Sequence, residues 1–181
     1  MRIHIGADHA ALEAKTALIT HLRDAGHEVT DHGPFVYDAE DDYPVFCLRA
    51  AEAVAADPAS LGFVLGGSGN GEQMAANKVE GVRAALCYNP ELAELAREHN
   101  DARVCSIGGR FTTPEESLAI ADTFVATPFS GVERHARRTR ASGPSTSRPR
   151  PTSSTRGSRT STATSSPGST CGTTSASSRR R

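Results

Sequence analysis

The chain changes character at residue 139. From Thr139 to Arg181 it contains no Leu, Ile, Val, Phe or Tyr, and its only apolar residues are three Ala and one Cys. Any core must come from residues 1–138, of which 63 belong to the hydrophobic set. Charge divides at the same place, with 12 Lys+Arg against 21 Asp+Glu before it and 8 Arg with no acid after it. The net charge of −1 is therefore an average of −9 and +8. This predicts one globular domain over 1–138 and a disordered Ser/Thr/Arg-rich tail over 139–181. Side chains of that kind cannot offset an ordering cost of about 1–2 kcal/mol per residue.

A domain of this length suits one core and is too short for two ordinary ones. No run approaches the roughly 18 apolar residues of a membrane span. Met1 leads directly into charged, alternating sequence, so a secretory signal is not expected and a cytoplasmic protein is the default. Cys47, Cys87 and Cys105 lie in apolar segments without a CxxC pair, and Cys171 stands alone in the tail. That pattern reads as free thiols, not disulfides or a zinc site.

Apolar periodicity predicts strands at 2–7, 27–31, 61–65, 82–87 and 103–107. They alternate with helices at 11–22, 44–56, 72–78, from 90 onward, and 114–126. In the first helix Ala11, Leu18 and Leu22 share a face while Glu13, Lys15 and His21 take others, a period of about 3.6. Pro44 and Pro90 suit first helical turns, and the acidic stretch 38–42 reads as a solvated loop. The alternation predicts an α/β fold, a Rossmann-like three-layer α/β/α sandwich on a five-stranded parallel sheet. Its functional loops should lie at the carboxyl ends of the strands.

Gly66-Gly-Ser-Gly-Asn-Gly-Glu72 is the most specific segment. Its glycines let the backbone approach a ligand and turn N–H groups toward an anion, and a helix follows. Glu72 stands where a Walker loop has Lys and where a dinucleotide fingerprint has Gly or Ala, so neither nucleotide motif matches. A tight turn without a ligand is the competing reading. Asp8-His9 ends the first strand and His99-Asn100 the fourth helix, both read as within reach of the carboxyl-terminal loops. The seven histidines show no i, i+4 or HxH spacing, so no metal site is expected. Arg110 and the cluster Arg134, His135, Arg137 and Arg138 suit phosphate recognition, against the plainer reading of a solvated helix end.

Together, Gly6-Ala-Asp-His9, Asp42-Tyr-Pro44, Gly66 to Glu72, Ala75-Ala-Asn-Lys78, Arg97-Glu-His-Asn100, Gly108-Gly-Arg110 and Arg134-His-Ala-Arg-Arg138 resemble the type B ribose-5-phosphate isomerases in order and spacing. The resemblance implies interconversion of ribose 5-phosphate and ribulose 5-phosphate, in the pentose phosphate pathway, without metal or cofactor. It also implies a homodimer, or a dimer of dimers, with active sites shared between subunits. Ser68 in place of a loop cysteine resembles the actinobacterial-type branch, which makes Glu72 the base. His99 is implied as the residue that opens the sugar ring. Gly67, Ser68, Gly69, Asn70 and Gly71 are implied to line the substrate, with Asp8, Ser68 and Asn100 on its hydroxyls. His9, Arg110, Arg134 and Arg138 take the phosphate, the last two across the dimer interface.

After Arg138 the resemblance stops. The tail reads either as translation in a shifted reading frame or as a native basic extension. Two other functions stay open at this point: isomerisation of a six-carbon aldose 6-phosphate, or an α/β nucleotide-binding module whose basic tail contacts nucleic acid. Nucleic acid is not expected as a partner, because the tail lacks aromatic residues and a reading element.

Overall fold

A computed structural model describes residues 1–142. Five strands form one parallel sheet: β1 (Arg2–Ala7), β2 (Glu28–Asp31), β3 (Leu61–Gly66), β4 (Ala84–Leu86) and β5 (Val104–Gly108), in the order β2-β1-β3-β5-β4. The helices are α1 (Leu12–Asp24), α2 (Tyr43–Ala56), α3 (Asn70–Ala76), α4 (Pro90–Asn100), α5 (Pro114–Ala126) and α6 (Glu133–Ala141), with a 3-10 turn at His9–Ala11.

Alternation along the strands sorts two cores onto opposite faces. Ile3, Ile5, Phe63, Leu65, Cys105 and Ile107 pack with residues of α1, α4 and α5. Val64 and Val104 face the other way, against Val54 of α2 and Ala75 of α3. On this second face the strands carry very small residues. A Cβ on Gly6 would overlap the Phe46 carbonyl, and one on Gly62 would lie 2.8 Å from Val54 Cγ2. Those glycines bring α2 close to the sheet, which becomes the middle of three layers.

Local sequence sets the helix ends. Asn89 Oδ1 accepts from the Leu92 N–H at 2.8 Å, and Thr113 and Glu116 form a reciprocal capping box. Pro44, Pro90 and Pro114 sit in first turns.

The strands and helices fall where periodicity places them, with two shifts. β4 is limited to Ala84–Leu86, while Val82 packs beside it without pairing. α3 begins at Asn70, two residues early, because Gly69 takes the left-handed conformation (φ 77°) and turns the chain into the helix inside the glycine loop. Cys47, Cys87 and Cys105 are free and buried. α6 runs past residue 138 to Ala141. Cys171 and the reading of a disordered tail lie outside the described residues, apart from the helical 139–141. Among the described residues no helix is long and apolar enough to cross a membrane.

Candidate active site

Strand order reverses between β1 and β3, and in an open α/β sheet the carboxyl ends of the strands at such a switch point are where a ligand crevice is expected. Three loops are tied together there by main-chain bonds. Asp8 N–H donates to Leu65 O at 3.1 Å, Gly109 N–H to Gly66 O at 2.9 Å and Arg110 N–H to Gly67 O at 3.1 Å. Their glycines are steric requirements. A Cβ on Gly108 would lie 2.6 Å from Ser68 O, and one on Gly71 2.7 Å from the Tyr43 hydroxyl. Ser106 Oγ donates to Gly69 O at 2.6 Å and Tyr88 Oη to Ser68 O at 3.1 Å, fixing the loop from both sides.

Glu72, in the first turn of α3, folds back over Gly66, and a Cβ on Gly66 would overlap its carboxyl. The side chain is buried at 4% exposure, and Oε2 has no hydrogen-bond partner among the described residues. Burial raises its pKa above the ordinary 4.5. The amide of Glu72 itself opposes that rise, the Asp8 charge adds to it and the Gly69 amide again opposes. The sequence leaves open whether the helix end or water exclusion prevails, and here burial does.

Asp8 caps the 3-10 turn, its Oδ1 accepting from Ala11 N–H at 3.2 Å, and burial raises its pKa as well. Burial thus raises the pKa of two neighbouring carboxyl groups, a common arrangement where a proton must move. Cys47 lies fully buried nearby. Burial first, then the charges of Glu72 and Asp8, push its thiol far up, so it is no nucleophile.

Beside the carboxyl groups is a cationic side. The Arg110 guanidinium lies against Gly67, where a Cβ would be 3.3 Å from Cζ. His9 Nδ1 lies 2.6 Å from Asp41 Oδ1, and the same oxygen accepts the His9 N–H at 3.1 Å. Asp41 was not singled out from the sequence. It belongs to the acidic stretch read as a solvated loop, yet its side chain is only 7% exposed. No local signal separates it from its acidic neighbours. The contact that buries it is made 32 residues away.

The other site residues lie elsewhere. α4 runs back from the end of β4, and its carbonyl at Asn100 accepts from Arg83 Nε, just before β4, at 2.9 Å. His99 and Asn100 therefore sit at the amino edge of the sheet, not near the carboxyl-terminal loops as the linear order suggested. The 11 residues of α4 rise about 16 Å, which accounts for the separation. The His99 ring lies 4.1 Å, centroid to centroid, from that of His135 in α6.

His135 is buried, and its Nε2 lies 2.9 Å from Arg134 Nε. A guanidinium can only donate, so Nε2 accepts and Nδ1–H donates to Ser130 Oγ at 2.9 Å. Its pKa is lowered by burial and then by the charges of His99, Arg134 and Arg138. Arg138 and Asn100 line a groove of about 1220 Å³ along the free edge of β4 with Gln73, Asn77 and Leu86. That groove includes neither Glu72 nor Asp8. The predicted residues therefore form two groups: Asp8, His9, Glu72, Arg110 and the loop 67–71 at the crevice, and His99, Asn100, Arg134 and Arg138 on α4 and α6.

Residues 3–141 match the family described as Ribose/Galactose Isomerase. Ribose-5-phosphate isomerase B of Mycobacterium tuberculosis is 58% identical over 138 residues, 76% of this chain and 85% of that protein. The Escherichia coli protein of the same name is 35% identical over 140 residues, 77% of this chain and 93% of its own. Among solved structures, ribose-5-phosphate isomerase B of Mycoplasma genitalium with bound ribulose 5-phosphate is 40% identical, with a TM-score of 0.75 over 77% of this chain and 92% of that one. Fold, sequence and the glycine-loop crevice agree, and the chain belongs to the Ribose/Galactose Isomerase family.

Proposed function

We propose that Glu72 carries the proton in an aldose-ketose isomerisation of ribose 5-phosphate to ribulose 5-phosphate. The reaction itself is that named for the relatives above, all of them ribose-5-phosphate isomerases. No observation favours a six-carbon sugar, and family membership displaces the nucleotide-binding module. The observation that carries the role of Glu72 is its buried carboxyl at the strand switch point, with one oxygen unpartnered.

Moving the carbonyl from C1 to C2 takes a proton from C2 and returns one to C1 through an enediolate. One carboxylate can act as base and then, protonated, as acid, and a raised pKa brings both forms within reach. The N–H groups of Gly69, Asn70 and Gly71 lie at the start of α3 and suit the developing oxyanion, that of Asn70 also reaching Ser68 Oγ at 3.3 Å. Gly67 and Ser68 line the sugar, and Asp8 contacts its hydroxyls. His9 and Arg110 hold the phosphate, whose binding orients the distant reacting carbons.

His99, Asn100, Arg134 and Arg138 serve a site on a second copy of the chain. The place of His99 and Asn100 at the amino ends of the strands, with α6 packed on α4, supports this, since Glu72 and Asp8 lie at the carboxyl ends. His99 thus travels with the arginine helix, and the arginines do not cross the interface alone. There it protonates the ring oxygen to open the furanose, and Asn100 holds a hydroxyl.

The test is formation of ribulose 5-phosphate from ribose 5-phosphate, with allose 6-phosphate assayed in parallel. The five-carbon substrate should be turned over with the higher kcat/KM. A preference for the six-carbon sugar would overturn the substrate assignment.

A further inference from the structure

Asp41 is the one member of the acidic stretch 38–42 tied to the crevice. Its Oδ1 receives the His9 main-chain N–H at 3.1 Å and faces Nδ1 at 2.6 Å, while Oδ2 is buried with no partner among the described residues. A buried carboxylate is costly unless a cation or several donors meet it. Here the groups that meet it both belong to His9.

A carboxylate oxygen can only accept, so Nδ1 carries hydrogen and donates. Two bonds to a single oxygen, one from the main chain and one from the ring, set the imidazole's orientation. Nε2 lies across the ring from Nδ1 and so points away from Asp41. The edge of His9 is further confined by Tyr37, whose ring stands at 87° to it with centroids 5.8 Å apart. The ionisable groups facing His9 are Asp41, Asp8 and Arg110. Asp41 favours the imidazolium most, Asp8 less, and Arg110 and burial oppose it, leaving the pKa raised above 6.5.

We propose that Asp41 is a positioning residue for anion binding: its carboxylate holds His9 by main chain and ring so that Nε2–H is presented to the substrate phosphate beside Arg110. This rests on the reading of His9 and Arg110 as the phosphate side. An amide at 41 keeps the shape and one acceptor but loses the charge, which makes Asp41→Asn a sharper probe than truncation. With a neutral residue there, His9 releases its proton at lower pH and the phosphate loses a charge-assisted bond.

The test uses the full chain, with KM and kcat for ribose 5-phosphate measured from pH 5.5 to 8.5. The imidazole nitrogens of His9 are followed by NMR. Asp41→Asn should lower the His9 titration point and, between the two proteins' measured titration points, raise KM by up to about tenfold with kcat within about twofold. The KM gap should close below the lower of the two measured titration points, where His9 is charged in both proteins. A packing role alone would raise KM equally across the range, and that result, or an unchanged His9 titration, overturns the proposal. His9→Gln runs alongside. If it raises KM while Asp41→Asn does not, only the role of Asp41 falls, and if it leaves KM unchanged, the phosphate reading falls as well. Should Asp41→Asn fail to fold, the unsubstituted protein still decides: titration of His9 above 6.5 supports the proposal, and titration at or below 6.5 overturns it.

Discussion

Glu72 occupies the space that a side chain on Gly66 would need. The last residue of the central strand and the proposed base are thus one packing unit, and the glycine sets where the carboxyl sits. Gly66→Ala should push Glu72 off the crevice. We expect a loss of kcat of at least about a hundredfold, consistent with misplacement of a reacting group, and a loss of about 1–3 kcal/mol from overpacking. Steady-state kinetics beside urea denaturation checks both, and a variant with normal kcat would show that the carboxyl need not lie there.

The raised pKa of Glu72 has a consequence for stability as well as rate. A folded-state pKa above the unfolded value favours folding while the group is protonated, and that contribution is lost as pH rises through the folded pKa. Above that folded pKa the ionised, buried carboxylate costs stability. Glu72→Gln should raise Tm at pH 7 and do so less at pH 4. Equal changes at both would contradict burial as the cause of the shift.

For the rate, Glu72 must start deprotonated, so kcat/KM should fall as pH drops through its raised pKa. Asp8 contributes to that rise through its charge. Asp8→Asn should move the acid limb to lower pH, along with any loss from its proposed contact to the sugar. A pH-rate profile that keeps its acid limb in place would remove Asp8 from the account.

An ion pair with one buried partner braces the segment that leads to Asp41. Lys15, 2% exposed, places Nζ 2.9 Å from both oxygens of Asp31 and 2.6 Å from Pro34 O. It joins α1 to the loop that continues to Asp41. Lys15→Met leaves Asp31 without its cation and should cost about 3 kcal/mol in denaturant unfolding, the low end for a broken buried pair because Asp31 retains some solvent. A change below about 1 kcal/mol would place this pair among surface bridges.

The proposed site residues fall in two groups, at the carboxyl and at the amino ends of the strands, and that separation makes a direct prediction about assembly. Glu72→Gln and His99→Asn, each inactive alone, should regain roughly a quarter of unsubstituted activity when co-refolded in equal amounts, since half of the dimers are mixed and each has one intact site of two. No recovery on mixing would mean that each subunit completes its own site.

The strands, five of the helices and the glycine loop were legible because their signals are local: alternating apolar residues, a proline in a first turn, glycines between a strand and a helix. The residues that escaped depend on distant contacts. Asp41 reads as one acid among four in 38–42, and only its contact with His9 sets it apart. His99 reads as within reach of the carboxyl-terminal loops, but α4 carries it to the amino ends of the strands. The start of α3 at Asn70 is not legible because Gly69, one of four glycines between 66 and 71, is the one at positive φ, which the sequence does not distinguish. The α6 helix, with no buried residue except His135, gives no apolar period to read.

The central claim is that Glu72 moves the proton, and Glu72→Gln tests it most directly when turnover and binding are measured on the same preparation. The amide retains the shape of the side chain and cannot take a proton. The account predicts that kcat falls by about a thousandfold or more, while ribose 5-phosphate still binds within a few-fold of its original Kd by calorimetry. Turnover within tenfold of the unsubstituted enzyme would contradict it and place the base elsewhere in the crevice.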